Sequence, residues 1–352
     1  MKRIAIIGSH GLYANYGGWD QLVKNLAERK SEKITYLIFN SSDSDKNTKL
    51  PPDGVVVKRL WLKASGFQGL FYDFWSILIC YWSIDTILLL GVQGIPLIPF
   101  LRMLRKVKIV SNVGGIEWER PKFGFFSKIY LKFCFRLSFI FSDTVILDNP
   151  HYLLFVPQRT KAGVKIIPSG GEIDISLYVD QGFEAKYPFI KRDYYLSISR
   201  SLEDNHLDEL CNCFLNSRHA LVLISNLTNS EYGLMILNKY KDCKNISLIN
   251  GLYIKSELDL IRRNCKAYIH THTLCGTAPS LVEMIIAGVP IISVDRPQNR
   301  YTLNNQGFFY TSFSELQTLL MNNPDLKEFT PSRECAKLYD WNRVINEYES
   351  CY

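Results

Sequence analysis

Short runs of β-forming residues alternate with longer helical patterns along most of the chain, and this alternation constrains the fold more than any other feature. Strand candidates in the first half lie at residues 4–7, 35–39, 55–59, 86–90, 108–111 and 144–147. Parallel strands need long crossover connections, and helices between the runs supply them. The sequence therefore predicts an α/β protein with doubly wound parallel sheets.

The alternation is interrupted once, by the polar segment at residues 172–192, and then resumes. Strand candidates in the second half lie at residues 194–199, 220–224, 246–249, 267–270 and 290–294. A chain of 352 residues also exceeds the size at which a single hydrophobic core usually stops growing. We predict Rossmann-like domains at 1–175 and 176–335, and a final helix at 336–352 that can pack back on the first domain. Because ligands of open α/β sheets bind at the carboxyl ends of strands, we expect the site in a central cleft between two facing domains.

Targeting signals are weak in this sequence. The apolar stretch that follows Arg3 ends at Gly8, which is too short for the hydrophobic region of a signal peptide. The nine cysteines lack the spacing of a disulfide framework, so we expect reduced thiols. The apolar region at residues 74–101 is interrupted by Asp85, Gly94 and two prolines, and we predict no transmembrane helix. These features indicate a cytoplasmic protein.

Basic residues are concentrated between residues 101 and 140. The formal net charge is +7, and this stretch contains nine Lys and Arg residues, which are Arg102, Arg105, Lys106, Lys108, Arg120, Lys122, Lys128, Lys132 and Arg136. Only Glu117 and Glu119 oppose them. The many Phe residues between them favour anionic lipid head groups over nucleic acid, so we expect peripheral binding to an anionic membrane surface. A solvated helix face over the core is the alternative.

Two loops of the first half contain candidate ligand contacts. The glycine-rich loop at residues 8–18 precedes a helical pattern, whose first N–H groups could bind an anion or a sugar hydroxyl. It matches neither the dinucleotide fingerprint nor the P-loop, and a simple tight turn is the alternative. The polar loop at residues 112–120 contains Glu117, a candidate general base or acceptor-binding group. A solvated helix N-terminus would have the same appearance.

Two loops of the second half are more informative. Arg200 follows a strand and could bind a diphosphate through its planar guanidinium, although a structural pair with Glu203 is the alternative. The stretch at residues 270–284 contains a glycine turn and then Pro279, which opens a helix. Its N-terminus would bind a diphosphate, and Glu283 could accept hydrogen bonds from ribose hydroxyls. The His-x-His-x-x-Cys spacing suggests zinc only weakly, since a fourth ligand is not evident, and we predict no metal.

Taken in this order and spacing, the motifs resemble glycosyltransferase family four, and more closely its rhamnosyltransferase-like branch of bacterial capsule and O-antigen enzymes. The resemblance covers nearly the whole chain. Its motifs are Tyr16-Gly17-Gly18-Trp19, Asn112-x-x-Gly115-x-Glu117-Trp118-x-Arg120, Arg200-x-x-Glu203-x-Asn205, and His270-x-His272 followed by Gly276-Thr277-x-Pro279-Ser280-Leu281-x-Glu283.

This resemblance implies the GT-B fold and a retaining hexosyltransferase that needs neither metal nor cofactor. It also implies a nucleoside diphosphate sugar donor, either dTDP-L-rhamnose or a UDP-sugar. The acceptor would be a polyprenyl-diphosphate-linked glycan on the inner face of the bacterial cell membrane. Implied donor contacts are Gly17, Gly18, Arg200, Asn205, Gly276, Thr277, Pro279, Ser280 and Glu283. Implied acceptor contacts are Tyr16, Trp19, Asn112, Trp118 and Arg120, and the implied catalytic candidates are Glu117 and His272, both in positioning roles.

The sequence departs from the family pattern at several positions. Cys275 stands where the first glutamate of the Glu-x-seven-Glu signature would be, Gly114 replaces an acidic residue, and Asp20 replaces a glutamate. Asn205 stands where many members have a phosphate-binding lysine. Two alternatives therefore stay open, namely a nucleotide-sugar 2-epimerase with the same fold and an inactive carbohydrate-binding scaffold subunit.

Overall fold

The computed structural model describes residues 1–14, 17–44, 49–120, 123–215 and 217–352. The chain divides into two compact units. The N-terminal unit comprises Met1–Gly170 together with Trp341–Tyr352, and the C-terminal unit comprises Gly171–Asp340.

A parallel sheet with helices on both faces forms the N-terminal unit. The described residues contain seven strands, in the order β3-β2-β1-β4-β5-β6-β7. The strands are β1 (Lys2–Ile7), β2 (Ile34–Asn40), β3 (Val55–Arg59), β4 (Thr86–Leu90), β5 (Lys108–Asn112), β6 (Thr144–Leu147) and β7 (Gly163–Ile166). The helices between them are α1 (Gly18–Arg29), α2 (Gly66–Cys80), α3 (Ile98–Arg102) and α4 (Phe125–Phe141).

The C-terminal unit repeats this plan, with the order β10-β9-β8-β11-β12-β13 among its described residues. Its strands are β8 (Tyr194–Ile198), β9 (Ala220–Ser225), β10 (Ile246–Asn250), β11 (Ala267–His270), β12 (Ile291–Val294) and β13 (Phe308–Tyr310). Its helices are α5 (Gln181–Lys186), α6 (Leu207–Phe214), α7 (Glu231–Tyr240), α8 (Lys255–Arg263), α9 (Pro279–Ala287), α10 (Pro297–Thr302), α11 (Phe313–Asn322) and α12 (Arg333–Lys337).

Both sheets are parallel throughout their described strands, which confirms the fold class predicted from the alternating pattern. The strands are almost continuously apolar because helices cover both faces of each sheet. In β4, for example, all five residues are buried.

The last helix, α13 (Trp341–Glu349), belongs to the N-terminal unit. It packs with α1 on one face of the first sheet, where Leu26 and Val344 share a core. The other face is covered by α2, α3 and α4, whose Tyr72, Leu101 and Phe139 lie in a second core. Within the described residues, no helix is long and apolar enough to cross a membrane.

Candidate active site

Each sheet has one position where the strand order reverses. In the N-terminal unit β1 lies between β2 and β4, and in the C-terminal unit β8 lies between β9 and β11. At such a point the loops from the carboxyl ends of adjacent strands run in opposite directions. The crevice between these loops is where ligands of open α/β sheets bind. The predicted motifs that follow β1, β8 and β11 all lie at these two switch points.

The loop after β1 is held close to β4 and to the start of α1. Gly8 has a φ of 101°, and a Cβ there would lie 2.0 Å from the carbonyl oxygen of Leu90. The buried carboxylate of Asp20 accepts hydrogen bonds from the backbone N–H groups of His10 (3.0 Å) and Gly17 (3.1 Å). Asp20 therefore holds this loop in place. The sequence alone did not reveal this role.

Of the four predicted contacts in this motif, Tyr16 lies outside the described residues. Gly17 caps α1, and a Cβ on it would meet no atom within 4 Å, so the backbone is open on that side. Gly18 is the exposed first residue of the helix. These positions leave the start of α1 exposed, and its role in ligand binding stays a prediction.

Trp19 is half-buried, and its ring lies against two backbone turns. A Cβ on Gly91 or Gly114 would approach ring atoms of Trp19 to 3.2 Å and 3.1 Å, respectively. Gly114 also has a φ of 62°, which side chains rarely adopt. Gly114, which stands where the family has an acidic residue, therefore allows both this backbone conformation and the close approach of the Trp19 ring.

Two predicted acceptor contacts occupy packing positions instead. Asn112 is buried, donates from Nδ2 to the Tyr348 hydroxyl (2.6 Å) and accepts from the N–H of Gly114 (2.8 Å). Trp118 is buried with its ring centroid 4.7 Å from that of Phe135. These buried side chains support the loop through contacts with the core, and the geometry favours a scaffolding role for both.

The remaining predicted groups of this loop are accessible. Glu117 and Arg120 form an ion pair at 3.0 Å, and both side chains are partly exposed. A carboxylate paired with a guanidinium can bind a sugar hydroxyl and hold its orientation.

In the C-terminal unit, the loop after β8 presents Arg200 to solvent. Asn205 is buried and donates from Nδ2 to the carbonyl oxygen of Arg200 at 2.7 Å. The amide therefore stabilises the turn that positions Arg200, rather than lying exposed as a donor contact. Two residues of the neighbouring loop complete the support, because Thr271 Oγ1 donates to the Asn205 carbonyl oxygen and Thr273 Oγ1 to that of Asp204.

The loop after β11 leads into α9 and is braced from α10. Gln298 donates to the carbonyl oxygen of Thr273 at 2.7 Å, and the fully buried Asn299 donates to that of His272 at 3.1 Å. Gly276 and Thr277 are buried, whereas Pro279 and Ser280 are partly exposed at the start of α9. The loops after β8 and β11, braced by α10, thus form one edge that presents Arg200 and the N-terminus of α9.

Glu283 lies one turn inside α9 and is part of a charge network. It pairs with Arg262, which also donates to Asp259 at 3.2 Å, and Lys255 pairs with Asp259 at 2.6 Å. Burial raises the pKa of Glu283, and the Arg262 guanidinium opposes that shift. Arg262 and Asp259 were not predicted from the sequence, although their i,i+3 spacing on α8 was the available signal.

His270, His272 and Cys275 come together at the end of β11. Cys275 Sγ lies 4.0 Å from His270 Nε2, and the ligand atoms of the three residues lie within 4.8 Å of one another. Burial lowers the pKa of His270 to about 3, so this imidazole is neutral near pH 7. Within the described residues the group offers three donors, and the expected absence of a bound metal stays a prediction.

Comparisons with known proteins bear on the fold. A family model described as a domain of unknown function, DUF1972, matches residues 1–164. No curated protein sequence matches the chain. Among solved structures, a sucrose-phosphate synthase from Thermosynechococcus elongatus is similar with a TM-score of 0.80 and 14% identity, over 100% of this chain and 98% of that one.

Two further structures resemble the chain over nearly its whole length. HepE of Anabaena, solved with UDP, has a TM-score of 0.74 and 12% identity, with 99% of each chain covered. An α,α-trehalose 6-phosphate synthase from Burkholderia multivorans has a TM-score of 0.74 and 11% identity, over 99% of this chain and 97% of that one. The chain has the GT-B fold. Identities this low establish only the fold, and the GT-B architecture predicted from the motifs is confirmed at that level.

Proposed function

We propose that this GT-B protein is a hexosyltransferase that takes a sugar from a nucleoside diphosphate donor. One observation carries the proposal, namely the edge of the C-terminal unit where Arg200 and the N-terminus of α9 follow the adjacent strands β8 and β11. A fixed cation and a helix N-terminus at a topological switch point form a diphosphate site. HepE, which has the same fold, was solved with UDP-glucose.

The chemistry follows from the charge that develops during transfer. Cleavage of the bond between sugar and phosphate builds negative charge on the leaving diphosphate, and Arg200 together with the α9 N–H groups would stabilise it. In a retaining reaction with attack on the same face, a leaving phosphate oxygen accepts the proton of the acceptor hydroxyl. A protein base is then unnecessary, so Glu117 and His272 are proposed to position substrates.

The finer proposal concerns donor and acceptor. We propose L-rhamnose from its dTDP donor as the first sugar to test, UDP-hexoses as the second, and a polyprenyl-diphosphate-linked glycan as the acceptor. The setting would be capsule or O-antigen assembly on the inner face of the membrane. The order and spacing of the motifs support these assignments.

A two-step experiment tests the proposal. Thermal unfolding is first measured with a panel of nucleotides and nucleoside diphosphate sugars, and the best ligand is then used for transfer to a lipid-linked acceptor. We expect stabilisation by one nucleotide class and acceptor-dependent release of the nucleoside diphosphate. Arg200→Ala is the matched variant, because Arg200 is exposed and its removal should leave the fold intact.

The alternatives give different results in this experiment. A 2-epimerase would convert the donor without an acceptor, and a scaffold subunit would release no nucleotide under any condition. Either result would contradict the proposed transfer.

A further inference from the structure

The outer side of α2 is apolar, although a surface helix normally presents polar residues to water. Its exposed side chains are those of Phe67, Phe71, Trp75, Leu78 and Ile79. Intervals of three and four residues place them on one side of the helix. The other side is buried against the sheet through Tyr72 and Ile77, so α2 is apolar on both sides.

Helices α3 and α4 continue this exposed apolar surface. On α4, Phe126, Ile129, Phe133 and Ile140 are exposed and again follow helical spacing, and Phe126 is 85% exposed. At α3 and the turn after it, the exposed side chains are those of Phe100, Met103 and Leu104. We call these exposed side chains of α2, α3 and α4 the apolar face.

Contacts show that the three helices lie side by side. Asp73 and Ile77 of α2 pack against Gly94, where a Cβ would lie 3.3 Å and 2.9 Å from their side-chain carbons. At the same turn, the Tyr130 hydroxyl of α4 donates to the carbonyl oxygen of Gln93 at 3.0 Å. Core residues of all three helices also share one cluster on the same side of the sheet. The apolar face is therefore one surface of the N-terminal unit.

The exposed charged side chains on α2, α3 and α4 are basic. Lys132 and Arg136 of α4 are exposed, and Lys128 is partly exposed. The only acidic residue in the sequences of α2, α3 and α4 is Asp73, which is buried. Burial raises the pKa of Asp73 to about 8, so it is mainly neutral at pH 7. Among the nine basic residues at 101–140, Arg102 pairs with Asp143 and Arg105 binds backbone carbonyl oxygens, so these two have structural roles.

We infer that the apolar face binds the surface of a lipid bilayer that contains anionic lipids, with the aromatic side chains of α2 and α4 inserted between head groups. Aromatic residues beside Lys and Arg are typical of helices that lie in the membrane interface. Exposed Trp75, Trp61 and Trp82, on and flanking α2, suit that depth, since indole combines an apolar ring with one N–H donor.

Charge complementarity favours the bilayer over a second copy of the chain. In a symmetric dimer the same patch meets itself, and Lys132 and Arg136 of both copies would be brought together. An anionic leaflet instead supplies the opposite charge and an apolar interior. The inference does not depend on sugar transfer, because it concerns the other side of the sheet from α1 and is tested without donor or acceptor.

Co-sedimentation with vesicles provides the test. We expect the protein to bind phosphatidylglycerol-containing vesicles, to bind phosphatidylcholine vesicles more weakly, and to lose part of the anionic preference at high salt. The double variant Phe71→Glu with Trp75→Glu should lower the affinity for both vesicle types by about tenfold or more. A second variant, Lys132→Glu with Arg136→Glu, should lose mainly the preference for anionic vesicles.

The control variant is Ile175→Glu with Met321→Glu, which places the same two charges at exposed apolar positions of the C-terminal unit. It should bind vesicles nearly as well as the unchanged protein, apart from a small salt-dependent loss caused by the two added negative charges. Thermal unfolding should show that all variants are folded. Equal vesicle binding by the α2 variant and this control would overturn the inference, as would no binding to either vesicle type. A dimer in solution that dissociates in the α2 variant would assign the face to a second copy.

Discussion

Arg200 combines exposure with a rigid backbone, since Asn205 holds its carbonyl oxygen. We expect Arg200→Ala to weaken binding of the nucleoside diphosphate donor by about 1.5–3 kcal/mol, the size of a charge-assisted contact. Calorimetric titration measures this loss, and Arg192→Ala, exposed in the same unit, is the control. Unchanged donor affinity in a folded Arg200 variant would remove this residue from the site.

Glu283 needs a different comparison, because its carboxylate has a structural partner. Glu283→Gln should weaken donor binding through the ribose hydroxyls and should also lower stability, since the buried Arg262 would lose one of its two carboxylate partners. Arg262→Gln disturbs the same pair without removing the carboxylate. If Glu283 binds ribose directly, Glu283→Gln should reduce donor affinity more than Arg262→Gln does at similar stability. Equal losses would indicate a purely structural role.

The His270, His272 and Cys275 group permits a test of metal dependence. We expect EDTA or phenanthroline to leave sugar transfer unchanged, since Arg200 and the α9 N-terminus provide the positive charge that a metal would otherwise supply. Activity is compared before and after chelation and after addition of zinc or magnesium. Loss on chelation that one metal restores would show that a metal takes part.

At the scale of single elements, α2 contains a carboxyl group whose ionisation opposes folding. Burial raises the pKa of Asp73 to about 8, so the folded state holds a proton that the unfolded chain releases above about pH 4. A raised pKa means that stability is full below the unfolded pKa and falls as pH rises towards 8. Asp73→Asn should therefore gain stability relative to the unchanged protein between pH 5 and pH 8, by at least about 2 kcal/mol.

The measurement is urea unfolding at pH 5 and pH 8. Asp85→Asn is the control with the opposite sign, because hydrogen bonds from the Arg3 backbone and side chain lower the pKa of Asp85. Its folded state favours the charged form, and this contribution is complete above the unfolded pKa of about 4. That variant should therefore lose a similar amount of stability at pH 5 and at pH 8. A wild-type profile in the Asp73 variant would contradict the buried position of this carboxyl.

At the scale of the whole molecule, the last residues of the chain, Trp341–Tyr352, belong to the N-terminal unit although they follow the C-terminal unit in sequence. In α13, the Tyr348 hydroxyl accepts a hydrogen bond from Asn112, and Lys2 donates to the carbonyl oxygen of Tyr352 at 2.9 Å. This segment closes one core of the N-terminal unit, where Trp341 and Val344 are buried.

Tyr348→Phe tests this closure with a minimal change. It should lower the free energy of unfolding by about 1–3 kcal/mol, because the buried Asn112 amide loses its acceptor. Denaturant unfolding provides the value, and Tyr178→Phe, which alters an exposed hydroxyl, should leave it unchanged. A neutral Tyr348→Phe variant would show that Asn112 finds another partner.

The sequence by itself determined the architecture and the places where ligands can bind. Alternating strand and helix patterns are local, so they predicted parallel sheets, and glycines and polar residues directly after strands mark carboxyl ends. The loops containing Gly17, Arg200 and Pro279 were found in this way, and the structure places each at a strand-order reversal.

Only the tertiary structure decided which of those side chains line a surface and which support it. Asn112 meets Tyr348 across 236 positions of sequence, and Arg262 meets Glu283 across 21. Such pairs are set by the packing of whole elements, which no local pattern encodes. The apolar face follows the same rule, because Tyr72 and Trp75 look equally apolar in sequence and only the position of the sheet makes one of them core and leaves the other exposed.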